Sequence, residues 1–207
     1  MLSEREVQEG MLKKTEGMPS VGKGKWLLWT KAWAHPLALE RRKSEISKYR
    51  DFEKDGDLCI VDEIGKDIDQ VGHIITRCND SGLLDRIGID PVGIGDIVDE
   101  ARTRGVEHER IVGLPQGWRL NGAIKTTERR LAEKTMVHGG QALMLWCVGN
   151  ARVEQRGNAI SITKQASGTG KIDPLMATFN AVALMAMNPE ARNNKSAYEN
   201  GGEIITW

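Results

Sequence analysis

The tripeptide Ile-Asp-Pro occurs twice, as Ile89-Asp90-Pro91 in "DRIGIDPVGIGDIVDEA" and as Ile172-Asp173-Pro174 at the head of "KIDPLMATFNAVALMAM". In both places an apolar segment meets the start of a helical pattern. An aspartate at such a corner can cap the free N–H groups of the first turn, with proline taking the first helical position, where its preset φ fits and its missing N–H is no loss. The same geometry can do chemistry. A helix start favours an ionised carboxylate, and ionised carboxylates are what a hard cation such as Mg²⁺ binds. One oxygen can serve the cap while the other stays available to the metal. Paired divalent ions lie roughly 3.5–4 Å apart, so carboxylates from distant segments must converge. Asp90 and Asp173 are such a pair of candidates.

The remaining reactive residues carry weaker patterns. "GIGDIVDEARTRG" has two close glycines but lacks the third glycine of a dinucleotide fingerprint, and GxxxxGK[ST] does not occur. "SGTGK" at 167–171 is a basic loop without the spacing of a phosphate cradle. His35, His73, His108 and His138 have no neighbours at ligand spacing, and no serine or cysteine sits in a nucleophile elbow. Cys59, Cys78 and Cys147 are few, odd in number and widely spaced, which fits reduced thiols better than disulfides or a zinc site.

The 207 residues include 29 basic and 29 acidic ones. That balance argues against a protein that coats nucleic acid through bulk charge, yet allows a local basic surface around an acidic centre. An apolar fraction of 40% with 28% charged residues is that of a globular protein. No run approaches the roughly 18 apolar residues of a membrane span, and the charged first residues lack a secretory h-region.

The elements that must position the two aspartates alternate between strand and helix. Strands are expected at 25–33, 57–64, 86–90, in "ERIVGLPQ" and in "NAISITKQ". Helices are expected from Pro36, over "KDIDQVGHIITRCND" with Ile68, Val71, Ile75 and Cys78 on one stripe, over "VGIGDIVDEARTRG", and at 118–133. The last of these turns Leu120, Ile124, Thr127 and Leu131 inward and shows Arg119, Lys125, Arg129 and Arg130 on its other face. "QALMLWCVGNARVEQ" reads as a buried helix running into a strand, and Asp173 to Met187 as an apolar helix whose Met-rich stripe is core. The alternation implies an α/β fold with a mostly parallel central sheet. In such sheets functional groups gather at the carboxyl ends of strands, where Asp90 falls.

From about Lys25 to Pro189 the chain resembles the nuclease domain of the large terminase subunit of tailed bacteriophages. The resemblance is carried by "WLLWTKAWAHPLALERRK", "FEKDGDLCIVD", "IGIDPVGIGDIVDEA", "LPQGWRLNGAIKTTERRLAE", "VHGGQALMLWCVGNARVE" and "ITKQASGTGKIDPLMATFNAVALM". It implies an RNase H-like mixed sheet flanked by helices and a two-metal, Mg²⁺- or Mn²⁺-dependent DNA endonuclease that cuts concatemeric DNA during packaging. Asp90 and Asp173 match the family's catalytic, metal-binding aspartates. Asn150 and Lys164 fall on positions near the active site or DNA, and Lys171, Arg129 and Arg130 are further candidates for DNA contact or active-site support. Double-stranded DNA, the portal, the small terminase subunit and a separate ATPase chain are the implied partners, in the cytoplasm of a bacterial host and with no membrane.

One departure stands out. Where the family has a central strand ending in its first catalytic aspartate, this chain has "MLSEREVQEGMLKKTEGMPSVGKG", without an aspartate or an apolar strand. The expected organisation is an atypical lead over 1–24, the nuclease domain over 25–189 lacking its first central strand, and a tail over 190–207. A C-terminal piece, a split gene product or a prophage remnant fits that pattern, as does a catalytically impaired module that binds DNA or portal.

Overall fold

The computed structural model describes residues 24–92, 95–164 and 170–189. Its strands are β1 (Trp26–Leu28), β2 (Ala32–Ala34), β3 (Leu58–Ile60), β4 (Ile87–Ile89), β5 (Ile111–Gly113), β6 (Met136–His138), β7 (Ala151–Arg156) and β8 (Ala159–Lys164). Between them lie α1 (Pro36–Glu40), α2 (Ile46–Lys54), α3 (Lys66–Asp80), α4 (Gly95–Thr103), α5 (Asn121–Ala132), α6 (Ala142–Gly149) and α7 (Asp173–Met185). The α/β alternation expected from the sequence is present.

Among the described residues the strands pair two by two, and the single mostly parallel sheet that the alternation implies is not completed by them. β1 with β6, β2 with β3 and β4 with β5 are parallel, and β7 with β8 is an antiparallel hairpin turned at Gly157 and Asn158. A physical cause is visible at 25–33, which breaks into β1 and β2. At Thr30 the Gln141 side chain takes the place of a neighbouring strand. Gln141 Oε1 accepts from the Thr30 amide at 3.0 Å and from Thr30 Oγ1 at 2.7 Å, while Nε2 donates to the Thr30 carbonyl at 2.6 Å. The same Nε2 donates to Oδ1 of Asp57 at 3.0 Å, and Asp57 is 1% exposed. One amide thus ties the β1–β2 corner to the residue before β3 and to the start of α6. β6 was not foreseen either: α5 stops before Lys134, whose φ of +56° is left-handed, and Met136 to His138 then run extended.

α5 and α6 also need correction. Leu120, Ile124 and Thr127 are buried as expected, whereas Leu131 is 43% exposed at the end of α5. α6 buries Leu143 and Cys147 but leaves Leu145 75% exposed, so it is covered on one side only.

The principal core gathers Phe52, Leu120, Ile124, Leu143, Cys147 and Phe179 with neighbours from β1, β3 and β6. A second, smaller cluster joins Ile75 of α3, Ala101 of α4 and Val106, with Ile87 and Ile111 packed against it. α7 spans the space between. It buries Leu175, Phe179 and Val182 in the principal core and lies over β4 on another side. Arg86 Nη1 is 3.7 Å from Met187 Sδ, and two residues on, a methyl at Gly88 would stand 2.9 Å from Leu184 Cδ1 and 3.2 Å from the Asn180 carbonyl. Advancing along β4 therefore means retreating along α7: the two run antiparallel.

Gly88 is required by that close approach. The added methyl would also meet Leu114 Cδ1 at 2.8 Å, and the Asn180 carbonyl cannot rotate away as a leucine tip can. Gly88→Ala is expected to lower stability by about 1–3 kcal/mol, the usual cost of an overpacked core. Urea unfolding measures it, and a variant as stable as the parent would show that α7 does not sit this close to β4.

Candidate metal-binding site

Asp90 follows β4 directly and is exposed. Its Oδ1 accepts from the Val92 amide at 3.0 Å, a local turn that leaves the second oxygen outward. Pro91 and Val92 are bends and the described helix runs from Gly95, so among the described residues Pro91 is not a first helical residue and Asp90 does not cap it there. At the other corner Asp173 is itself the first residue of α7, with Ile172 in the capping position and no side-chain cap hydrogen bond. The capping role is absent there too. What remains is the favourable field of the helix start on an anion in the first turn. Lys171 Nζ lies 3.9 Å from Asp173 Oδ2, an exposed pairing of small energetic weight.

The backbone leading into Asp173 is held by Asn150. Its Nδ2 donates to the Lys171 carbonyl at 3.1 Å, and its amide group packs so closely on Gly170 that no Cβ fits there. Asn150 closes the end of α6, and the helix delivers it to this loop. Two further neighbours feel Asp173. Burial chiefly, and then the Asp173 charge, push the Cys147 thiol up to about 12. The Tyr49 hydroxyl is raised by burial first, with Arg42 opposing and Asp173 adding a small further push. Nothing in the sequence marked Tyr49 or Cys147 as neighbours of this corner, because their helices are far from it along the chain.

The antiparallel run of β4 and α7 fixes how far apart the two corners lie. Gly88 is level with the stretch around residue 182, and Asp90 lies about 6.6 Å further along the strand. Asp173 lies nine residues back along the helix, roughly 13 Å. Adding the roughly 10 Å between packed layers, the two Cα atoms are on the order of 12 Å apart at the same end of the pair. The oxygen donors fit hard divalent ions in kind. In number they fall short: among the described residues no group of three or more His, Cys, Asp or Glu side chains gathers to hold a metal.

The remaining candidates lie apart from this corner or are engaged elsewhere. Lys164 is the exposed last residue of β8, opposite Ala151. Arg129 is exposed, and its hydrogen bond with Glu133 at 2.7 Å raises its already high pKa. Arg130 stacks its guanidinium over Trp26, 3.4 Å from the ring centroid, and so fastens α5 to β1. The basic face of α5 is in part a packing surface.

The comparisons with known proteins give the family of this α/β fold. Residues 36–189 match the model of the terminase large subunit endonuclease domain, and the chain belongs to that family. The crystal structure of the HK97 bacteriophage large terminase shares the fold, with a TM-score of 0.58 and 22% identity over 73% of this chain and 32% of that one. The chain thus spans about a third of the length of that terminase. No curated protein matches it.

Two measurements check these local arguments. Asn150→Ala is expected to cost about 1 kcal/mol for the lost, partly buried hydrogen bond, with faster amide exchange confined to residues 170–173; unchanged exchange there would refute the tether. For Cys147, a folded-state pKa raised from 9.0 to about 12 means that the unfolded chain ionises first as pH rises. Stability is therefore full below pH 9 and falls between 9 and 12, and the melting temperature of Cys147→Ala should decline less steeply across that window.

Proposed function

We propose that this chain acts as the metal-dependent DNA endonuclease domain of a phage packaging terminase, cutting concatemeric DNA, with Asp90 and Asp173 as its catalytic metal ligands for Mg²⁺ or Mn²⁺. The observation that carries the reading is that both corner carboxylates are exposed at one end of the β4–α7 pair and neither is spent on capping a helix. When bound, divalent ions at such a site supply an activated water and neutralise the leaving oxygen of a phosphodiester.

The chain's own residues then have defined tasks. Asp90 is presented by the local turn to Val92. Asp173 is oriented by the Asn150 tether at the start of α7. Lys171 draws a phosphate toward the carboxylates, while Lys164 and Arg129 bind the DNA backbone further out. The nuclease unit runs over 25–189, with 1–24 and 190–207 outside it. Its partners are double-stranded DNA, the portal, the small terminase subunit and an ATPase chain, in the host cytoplasm.

One observation favours a second reading. With two carboxylates and no third group converging among the described residues, the polypeptide alone can be a catalytically impaired module that binds DNA or portal. A plasmid assay separates the two. The nuclease reading expects Mn²⁺-dependent nicking of supercoiled DNA, abolished by EDTA and reduced more than about 100-fold in Asp90→Ala and in Asp173→Ala, beyond the usual loss for an outer partner of a metal ligand. Undiminished cutting by either variant removes that residue from the site. No EDTA-sensitive cutting, with DNA binding retained, gives the function to the binding module.

A further inference from the structure

Trp118 stands apart from the other described tryptophans. Trp26, Trp29, Trp33 and Trp146 are each partly buried, whereas Trp118 is 57% exposed. Its indole carries the guanidinium of Arg119, 5.5 Å from the ring centroid. A large ring left in water forgoes the stabilisation that burial would bring. An aromatic ring beside a cation is also the pairing that holds nucleic-acid strands: the ring stacks on a base and the cation meets the backbone.

The turn that presents this pair is held from several sides. The Leu114 amide donates to the Ile89 carbonyl at 2.8 Å, which brings the end of β5 level with Asp90. Gln116 Nε2 donates to the Leu114 carbonyl at 2.9 Å and to Oδ1 of Asn180, a buried residue of α7, at 3.0 Å. A single 3-10 turn, Gly117–Leu120, follows, and its last residue is buried in the principal core. Next to it, Asn121 Oδ1 accepts from the Ile160 amide of β8 at 3.1 Å, the strand that ends in Lys164. Trp118 and Arg119 are the side chains of this turn that face solvent. Four residues separate Trp118 from Leu114, a reach of at most about 14 Å. The pair therefore stands near the strand end that carries Asp90, on a turn tied to β5, α7 and the hairpin.

We infer that Trp118 and Arg119 hold the DNA strand that is cut, the indole stacked on a base turned out of the duplex and the guanidinium on a neighbouring phosphate. The choice of DNA as the ligand rests on the nuclease reading above. Tryptophan and arginine also anchor contacts between proteins. DNA is favoured because the pair lies at the end of the fold that carries Asp90 and adds a positive charge there, complementary to a polyanion. Every base has a π face, so the contact positions the strand without selecting a sequence.

Fluorescence anisotropy of a labelled single-stranded oligonucleotide with the full chain in EDTA tests this, since binding is then read without cutting. Trp118→Ala should weaken binding about tenfold, and Trp118→Phe should restore most of it. Arg119→Ala should weaken it too and lower the slope of log affinity against log salt by about 0.7. Leu83→Ala, at a residue 65% exposed elsewhere on the surface, should bind as the parent does. Melting temperatures should match throughout, because none of these side chains is buried. Parental affinity in both Trp118→Ala and Arg119→Ala would overturn the inference and give the pair to a protein partner. So would a parent chain that does not bind the oligonucleotide. A parent that binds through Trp118 but nicks no plasmid in Mn²⁺ would remove the nuclease reading and leave this contact standing.

Discussion

The packing of α7 across β4 at Gly88 is the constraint on which the candidate site depends. A residue without a side chain lets the helix backbone come within contact of the strand, and the helix's own apolar side chains then anchor it in the principal core. Because the two elements run antiparallel, the end of the strand and the start of the helix fall at the same end. Asp90 and Asp173, about eighty residues apart in the chain, thus sit on elements that this one contact holds together. Its strength is mostly that of burying Leu175, Phe179 and Val182, each contributing on the order of 2 kcal/mol.

Helix capping would have been a sufficient explanation of both Asp-Pro corners, and it is absent at both. At Asp90 the chain makes a small turn through Val92, and Pro91 is not helical. At Asp173 the aspartate has moved one position into the helix, where its carboxylate no longer reaches back to the free amides. The charge is retained where the field of the helix favours it, while the oxygens stay exposed. Against that stands the count of ligands: among the described residues no group of three or more His, Cys, Asp or Glu side chains gathers to hold a metal.

Elsewhere the fold relies on side chains for work that a continuous sheet would do through its backbone. Gln141 satisfies both backbone groups of Thr30 and the buried Asp57, and Arg130 lies on Trp26. Backbone groups removed from water must be paired, and at the β1–β2 corner that pairing comes from an amide. The consequence is a set of short strand pairs around two separate apolar clusters.

The sequence alone determined the kinds of element and the chemistry on offer. Apolar periodicity marked α3, the inner face of α5 and the whole of α7, and the two Ile-Asp-Pro tripeptides marked the candidate carboxylates. These are local properties, legible because a helix or strand repeats its environment every few residues. Tertiary structure decided the rest. Whether 25–33 is one strand or two depended on Gln141, more than a hundred residues away. Whether Leu131 is buried depended on what α5 meets at its end, and whether Arg130 faces DNA or an indole depended on where β1 lies. The elements that carry Asp90 and Asp173 pack together because Gly88 admits α7. Such pairings are set by which surfaces exclude water together, and no short window of sequence contains both partners.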